Sequence, residues 1–434
     1  LAASASSFGG SSGFKLGPLM MFKTPRIFLF VDTRSGEGYC WGQSGYSDKL
    51  CSGNKNFAGI TDVFMNAHSQ KLLALNKHSG DGICWSTSSQ WSWRKCSGNS
   101  FTGITDVFTN GKAFFVLNKD TGDSFGWSDW SVCRGCYDKS LTGITDVFSD
   151  SWGFLALNKD SGDGYCVSHV PQFDECSGKN FTGITDVFSN SFAFLALNKD
   201  NGVGFCLGQA SAGGDCSDKN FAGVTDVFSV AHGFFAWRKH SGTGFCWGWD
   251  GGDCSDKDFT GITDVVSAGQ VFLAFSKHSG AGFCWGGDLD VDVARYGVDN
   301  CSDKNFKGIT DVFFTSLAFL ALNKDSGIGF CWGSEEYGGG DCSEEDFTGV
   351  TDVFSTSLAF LVWKKHSGTG FCLGSMSCGH NSHFDFTGIT DVFTSVKKFL
   401  AVNSHSGAGF SIPNDDGLLR YLNGFTTTTT TTTT

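Results

Sequence analysis

Cysteine is the residue whose number and spacing most clearly indicate chemistry in this chain. The 434 residues include 18 cysteines, which fall into nine consecutive couples: Cys40/Cys51, Cys84/Cys96, Cys133/Cys136, Cys166/Cys176, Cys206/Cys216, Cys246/Cys254, Cys284/Cys301, Cys331/Cys342 and Cys372/Cys378. Eight couples begin at one slot of a recurring strand and end in the loop that follows. In the remaining couple the slot holds Gly126, and Cys133 appears seven residues later, which keeps the count even. Even, regular spacing predicts local disulfides in an oxidising compartment.

Metal binding and thiol redox chemistry are the alternatives at one couple. Cys133-x-x-Cys136 has the spacing of half a zinc site, but no second couple lies near it in sequence and no repeat supplies four ligands. Its flanking residues do not resemble a thioredoxin motif. We therefore predict no metal and no cofactor.

Histidine and aspartate recur at positions that favour structure over catalysis. One turn slot accepts either type, which predicts a solvated position: His78, His240, His278, His366 and His405 alternate there with Asp120, Asp160, Asp200 and Asp325. The Asp of each Thr-Asp-Val, such as Asp186, begins a strand and is expected to accept a hydrogen bond from a backbone N–H. Weak calcium sites at these aspartates, and a metal site at His380 and His383, are the alternatives. No paired acid and base stands out and no phosphate loop occurs, so we predict that the protein is not an enzyme.

Several residues match glycosylation motifs. Asn180-Phe-Thr and Asn300-Cys-Ser are N-glycosylation sequons. Trp127-Ser-Asp-Trp130 matches the Trp-x-x-Trp mannosylation motif, although Trp127 also fills an ordinary slot of its repeat. We expect O-glycosylation on the terminal tract of Thr426, Thr427, Thr428, Thr429, Thr430, Thr431, Thr432, Thr433 and Thr434.

Three tryptophans interrupt the repeat pattern. Trp91, Trp93 and Trp130 lie in an aromatic-rich part of the chain. Aromatic rings bury a large area and can present a polar edge, so such clusters bind partners or stack on sugar rings. These three residues and the loop at 287–300 are the candidate binding residues.

The elements that position these residues recur about every 40 residues. A tetrad of Ile-Thr-Asp-Val or Val-Thr-Asp-Val begins at Ile60, Ile104, Ile144, Ile184, Val224, Ile262, Ile309, Val350 and Ile389. A degenerate first copy precedes these, and counting back from Cys40 places its start at Leu16. Within the fifth copy, Ile184–Phe188 alternates, 193–198 is apolar, and 199–202 has hairpin-turn chemistry before a third strand. The pattern predicts an all-β domain of ten β-propeller-like units. Each unit has three to four short antiparallel strands, and most have one local disulfide.

The repeat resembles a known family. The pattern Gly-Ile-Thr-Asp-Val, then Phe-Leu-Ala-Leu, then Ser-Gly-x-Gly-Phe-Cys-Trp-Gly is similar to the repeat of the regulator of chromosome condensation family and of propellers like beta-lactamase inhibitor protein II, over about residues 16–411. The resemblance implies a propeller fold and little about function, since that fold carries exchange factors, inhibitors and scaffolds. The chain departs from the family in having ten units, regular cysteines and no basic surface.

Composition and charge exclude further classes. The net charge of −13 offers no basic face, so we predict no nucleic-acid binding. No run of 18 apolar residues exists, and we predict no membrane insertion. The predicted domains are a flexible Ala/Ser/Gly arm at 1–13, the repeat domain at 14–411, an extension at 412–425 and the threonine tail at 426–434. The chain begins at Leu1 rather than Met, which fits a processed or excised segment.

These observations favour an extracellular or cell-surface protein. The leading hypothesis is a structural glycoprotein, the repeating subunit of a filament, appendage or surface coat, whose partners are copies of itself, other extracellular proteins or glycans. The alternative is a secreted binding module, a lectin or protein-inhibitor propeller that uses loops on one face.

Overall fold

The computed structural model describes the chain from residue 11 to residue 413 with gaps. The described residues are 11–12, 14–16, 19–24, 26–32, 34–42, 56–66, 71–86, 100–110, 112–128, 141–168, 176, 179–287, 301–374, 378, 382–406 and 408–413, with no side-chain description at 11, 12, 85, 86, 128 and 168. The chain divides into two compact units. One is built mainly from Phe64–Val293 with Cys301–Lys307, and the other mainly from Ser11–Val63 and Gly308–Thr434.

In the first unit each repeat folds into a small antiparallel sheet. Its strands are β7 (Lys71–Asn76), β8 (Asp81–Ser86), β9 (Asp106–Thr109), β10 (Ala113–Leu117), β11 (Ser124–Ser128), β12 (Asp146–Ser149), β13 (Gly153–Asn158), β14 (Asp163–Ser168), β15 (Asp186–Ser189), β16 (Ala193–Asn198), β17 (Val203–Gly208), β18 (Asp226–Val230), β19 (Gly233–Arg238), β20 (Thr243–Gly248), β21 (Asp264–Ala268), β22 (Val271–Phe275) and β23 (Gly282–Gly286). Two 3₁₀ turns, Ala210–Ala212 and Trp249–Gly251, follow β17 and β20.

The second unit repeats this arrangement. Its strands are β1 (Ser11–Ser12), β2 (Phe14–Leu16), β3 (Leu19–Lys23), β4 (Ile27–Asp32), β5 (Gly38–Gly42), β24 (Asp311–Phe314), β25 (Ala318–Asn323), β26 (Ile328–Gly333), β27 (Asp352–Ser355), β28 (Phe360–Lys364), β29 (Thr369–Leu373), β30 (Ser382–Asp385), β31 (Asp391–Thr394), β32 (Phe399–Val402) and β33 (Gly409–Ile412). β6 (Asp62–Asn66) contains the chain boundary between the units, and its first two residues pair with β1. A 3₁₀ turn at Glu335–Tyr337 follows β26.

The predicted fold class is confirmed: the described residues form ten antiparallel sheets of three or four strands. One detail of the first repeat is corrected. Its register pairs Phe22 with Leu29 as the fifth repeat pairs Phe188 with Leu195. The first copy therefore begins two residues later than Leu16, because its first turn is shorter than that of the second repeat.

The core lies between neighbouring repeats. The middle strand of each sheet is apolar on both faces and is therefore buried on both, as in β16, where the first five residues are buried. Leu155 and Leu157 of β13 pack with Phe194 and Leu207 of the next sheet. In the second unit the first and last repeats are neighbours in the same way, with Phe14 and Phe393 ring centroids 4.9 Å apart.

Backbone hydrogen bonds also join the repeats at one turn. In the first unit the turn between first and second strands donates to its counterpart one repeat later: Ser151 N to Ser191 O at 3.1 Å, Ser191 N to Ala231 O at 3.1 Å and Ala231 N to Gly269 O at 3.0 Å. These bonds fix each turn relative to the next, so side chains in the same slot of successive turns lie side by side.

Local disulfides close the loops that follow the third strands. One such disulfide was predicted for most units. Six lie within the described residues and join Cys166–Cys176, Cys206–Cys216, Cys246–Cys254, Cys284–Cys301, Cys331–Cys342 and Cys372–Cys378. Cys40 and Cys84 are also disulfide-bonded, and their predicted partners Cys51 and Cys96 lie outside the described residues, as do Cys133 and Cys136. Disulfides in this number are typical of secreted and extracellular proteins.

Candidate functional site

A row of side chains follows the hydrogen-bonded turns of the first unit. The slot just before the second strand of the sheet holds Lys112, Trp152, Phe192 and His232 in four successive repeats, and all four are half-buried. We call these four residues the turn row. In the second unit the same slot contains no aromatic residue and holds Arg26, Leu317, Leu358 and Lys397. Stacked rings in this slot are therefore a feature of the first unit.

The rings of the turn row stack on one another. The Trp152 and Phe192 centroids are 5.8 Å apart at 31°, and those of Phe192 and His232 are 4.9 Å apart at 15°. The Lys112 ammonium lies 2.8 Å from the Trp152 centroid, and desolvation lowers the pKa of this lysine. Stacking uses the inner ring faces, so the row presents ring edges to solvent.

His232 connects the row to a rigid turn. Its Nδ1 lies 2.6 Å from Oδ2 of Asp250, whose side chain is only 7% exposed. The backbone of Asp250 is held on both sides, because its N–H donates to His232 O at 3.4 Å and its carbonyl accepts from Gly287 N at 3.3 Å. The flanking Gly248 and Gly252 take φ of 86° and 62°, the left-handed region that glycine tolerates.

This turn exposes one large aromatic side chain. Trp249 is 67% exposed, whereas the other tryptophans whose side chains the structure describes are buried or half-buried. The Cys246–Cys254 disulfide closes the loop that contains it. The equivalent first residues of the other two described 3₁₀ turns are Ala210 and Glu335, so Trp249 is specific to the sixth repeat.

Beneath the row lies a buried carboxyl group. Oδ1 of Asp150 accepts hydrogen bonds from the N–H groups of Trp152 at 2.7 Å and Gly153 at 2.6 Å, while its Oδ2 is buried without a partner. Burial raises its pKa to about 8, against the smaller opposite effect of the backbone N–H groups. At neutral pH the group is therefore mostly a protonated acid.

The neighbouring repeats show which side chain occupies this slot elsewhere. The slot of Asp150 holds Asn110 and Asn190, whose Oδ1 atoms accept the same two backbone bonds. The amide Nδ2 of Asn110 donates to Gly153 O at 3.3 Å, and that of Asn190 donates to Ala212 O at 2.6 Å, each in the next repeat or the loop leading to it. Asp150 can replace such a donor only while it keeps its proton.

The repeated aspartates do not behave as expected from the sequence. Asp264 accepts a hydrogen bond from the Thr263 hydroxyl and pairs with Lys277 Nζ at 3.0 Å, and Thr263 Oγ1 accepts the Lys277 backbone N–H at 3.0 Å. The same Thr-Asp-Lys arrangement recurs at Asp106, Asp146, Asp186 and Asp311. The expected backbone cap on Asp is thus corrected: the neighbouring threonine accepts the N–H.

Across the described ranges, no cluster of three or more metal-binding side chains occurs.

The predicted site residues have different outcomes. The turn histidines are exposed, as predicted. Asn180 is exposed and its Oδ1 accepts from Thr182 N at 2.9 Å, whereas Trp127 is 3% exposed and stacks on Phe114 at 5.0 Å. Sugar on either residue stays a prediction. Trp91, Trp93, Trp130, Asn300, the 288–300 segment and Thr426–Thr434 lie outside the described residues.

Sequence reasoning missed the turn row, Asp150, Asp250 and Trp249. Alignment of the repeats slot by slot would have shown an Asp among asparagines and a variable slot two residues later. It would not have shown the His232–Asp250 pair, which depends on tertiary structure.

Within the described part of the chain, no helix is long and apolar enough to span a membrane.

Comparison with known proteins adds a general likeness. No protein-family model matches the chain, and no curated protein matches it. Similar solved structures include the ectodomain of the Physcomitrella patens receptor kinase CR4 (14% identity, TM-score 0.31, 63% of this chain and 73% of that one) and the CRINKLY WD40 ectodomain of the Arabidopsis thaliana receptor kinase ACR4 (14%, 0.32, 63% and 94%). Prp20p of Saccharomyces cerevisiae is another (15%, 0.29, 75% and 83%). At these values the likeness assigns no function, and the family resemblance stays a prediction.

Proposed function

We propose that this protein is a non-catalytic, secreted or cell-surface binding module that holds its partner through Trp249 and the adjacent end of the turn row. The observation that carries the proposal is the 67% exposure of Trp249 on a turn that is fixed on all sides. Exposed tryptophans are frequent anchors of binding energy. A partner that covers this ring would remove a large apolar area from water, which favours association.

The turn is suited to binding because it is already ordered. The disulfide Cys246–Cys254, the Asp250–His232 pair and the backbone bonds of Asp250 order the backbone that carries Trp249 before any partner arrives. A loop whose backbone is already ordered loses less conformational entropy on association, and more of its contact energy appears as affinity.

Retention on material from the source organism tests this proposal. The labelled protein is applied to intact cells or extracellular matrix from that source, beside Trp249→Ala and the control Ile328→Ala, which removes another exposed apolar side chain (62%). We expect Trp249→Ala to lower retention at least tenfold and Ile328→Ala to leave it unchanged. Equal retention of the wild type and Trp249→Ala would refute the proposal.

The structural role predicted from the sequence is a narrower form of this proposal, in which the partner is another copy of the chain. In that form the protein is the repeating subunit of a filament, appendage or coat with an O-glycosylated tail. Removal of Thr426–Thr434 should weaken assembly and leave the fold intact. Negative-stain electron microscopy of native and truncated protein tests this, and equal assembly would exclude the tail from the role.

A further inference from the structure

We infer that Trp249, His232 and the neighbouring turn at 209–212 form a subsite for a sugar ring of a neutral oligosaccharide. The inference rests on the proposed function and names its ligand class. It depends on three features: a free indole face, neutral hydrogen-bonding groups beside it, and the absence of basic residues from the described turns around it.

The indole of Trp249 offers the stacking surface. The rings of the turn row are stacked on each other, but Trp249 is exposed and stands apart from that stack. One face of a pyranose ring carries mainly C–H groups, and a flat aromatic side chain buries that face well. A single flat platform suits a sugar ring, whereas cationic ligands are usually enclosed by several aromatic side chains.

Neutral polar groups surround this platform. Asp250 occupies Nδ1 of His232, which leaves Nε2 of that half-exposed ring as the atom able to bind a ligand hydroxyl. The turn Ala210–Ala212 contacts the turn of Trp249, and a Cβ on Gly248 would lie 3.0 Å from the carbonyl carbon of Ala212. Gln209 and Ser211 are exposed there and are joined by a 2.9 Å hydrogen bond from Nε2 to Oγ, a bond that does not use Oε1 or the hydroxyl hydrogen.

The charge around the site disfavours ionic ligands. The described segments 209–215, 230–233, 247–254, 268–271 and 284–287 contain no lysine or arginine, so an anionic sugar or a phosphate would find no counter-charge. The buried Asp250 is already paired with His232. The exposed carboxylates Asp215 and Asp253 each accept a backbone N–H from a nearby serine. Hydroxyl groups of a neutral sugar match the remaining amide, imidazole and hydroxyl groups.

Titration with defined sugars tests the inference. The probes are the neutral hexasaccharides of β-1,4-glucose, β-1,4-N-acetylglucosamine and α-mannose, with calorimetry and tryptophan fluorescence as readouts. We expect at least one to bind, with affinity reduced at least tenfold in Trp249→Ala, less in Trp249→Phe, and unchanged in Ile328→Ala. Affinity should change less than twofold between 50 and 500 mM NaCl, because no ion pair forms. No binding at millimolar sugar, equal binding by Trp249→Ala, or a steep salt dependence would overturn the inference.

Failure of this inference is distinguishable from failure of the proposed function. Periodate oxidation of the source material should abolish retention if the partner is a sugar, whereas protease treatment should not. If retention depends on Trp249 but survives periodate, the ligand class is wrong and the binding role stands. Since Trp249 is exposed, Trp249→Ala should keep the wild-type circular dichroism and unfolding midpoint, which excludes misfolding as the cause of a loss.

Discussion

Replacement of Asp150 by asparagine should remove a pH dependence from the stability of the first unit. Asp150 occupies a slot in which Asn110 and Asn190 donate a hydrogen bond to a carbonyl of the next repeat or the loop leading to it. Only the protonated acid can donate in this way. Asparagine donates at every pH, so Asp150→Asn should restore the donor without a change in side-chain volume.

The magnitude follows from the two pKa values of Asp150. In the unfolded chain the group titrates near its ordinary value of 3.8, and in the folded protein its pKa is about 8. Between these values the folded state holds a proton that the unfolded state has lost, so stability falls as pH rises, by about 1.4 kcal/mol per pH unit. Between pH 4 and pH 7 the loss amounts to about 4 kcal/mol. This is an upper limit, because water reaching the carboxylate would lower it.

Denaturant unfolding of both proteins, with disulfides intact and tryptophan fluorescence as the signal, measures this difference. At pH 4 the two should be nearly equally stable, and at pH 7 Asp150→Asn should be more stable by up to about 4 kcal/mol. The comparison of two proteins at each pH cancels the contributions of the other titrating groups. A matched control, Asn190→Asp, should acquire the opposite behaviour, with stability that falls as pH rises above 4.

Two results would refute this reasoning. One is a stability difference between Asp150→Asn and the wild type that is the same at pH 4 and pH 7. The other is a control Asn190→Asp that loses equal stability at both pH values, since this would indicate a steric or packing effect. Either result would mean that the protonation state of the carboxyl in this slot does not determine the free energy of unfolding.

Two further predictions concern the loops and glycines. Replacement of both Cys206 and Cys216 by alanine should lower the free energy of unfolding by about 2–3 kcal/mol, because the disulfide closes a short loop and so reduces the conformational entropy of the unfolded chain. An unchanged thermal midpoint would contradict this prediction. Gly204→Ala should cost about 1–3 kcal/mol, because the new Cβ would lie 2.7 Å from the ring of Phe221. Gly261→Ala, which meets no atom within 4 Å but has φ of +74°, should cost about 1 kcal/mol through backbone strain alone; calorimetry of the two variants checks the ranking.

The fold was predictable because its signals are local and repeated. A strand such as β16 is apolar on both faces, and the Asn198-to-Gly202 turn after it has hairpin chemistry, so each sheet follows from about 25 residues of sequence. The cysteine couples were predictable for the same reason. The role of Asp264 was misjudged because Thr263, its sequence neighbour, competes for the same backbone N–H, and only the structure shows which side chain accepts it.

The site was less predictable because it depends on contacts between repeats. His232 and Asp250 are 18 residues apart and meet only when the turn after β20 folds back onto the turn before β19. Similarly, the raised pKa of Asp150 comes from burial by the adjacent repeats, which a sequence does not display. The sequence directed attention to Trp91, Trp93 and Trp130, which interrupt the pattern visibly. Trp249 was not singled out from the sequence, because this residue directly follows a Cys-Trp-Gly motif whose tryptophan belongs to the repeat and is expected in the core.

The arrangement of the repeats explains why one end of the turn row is the favoured binding position. Backbone bonds between successive turns hold the rings of Trp152, Phe192 and His232 at spacings that leave no room for a ligand between them. A ligand can therefore engage ring faces only where the row ends. At that end His232 is fixed by Asp250, and the same turn presents Trp249. The eighth repeat has a comparable turn, but it carries Glu335 in place of the tryptophan and Leu317 in place of the histidine, so the same backbone there should bind no sugar.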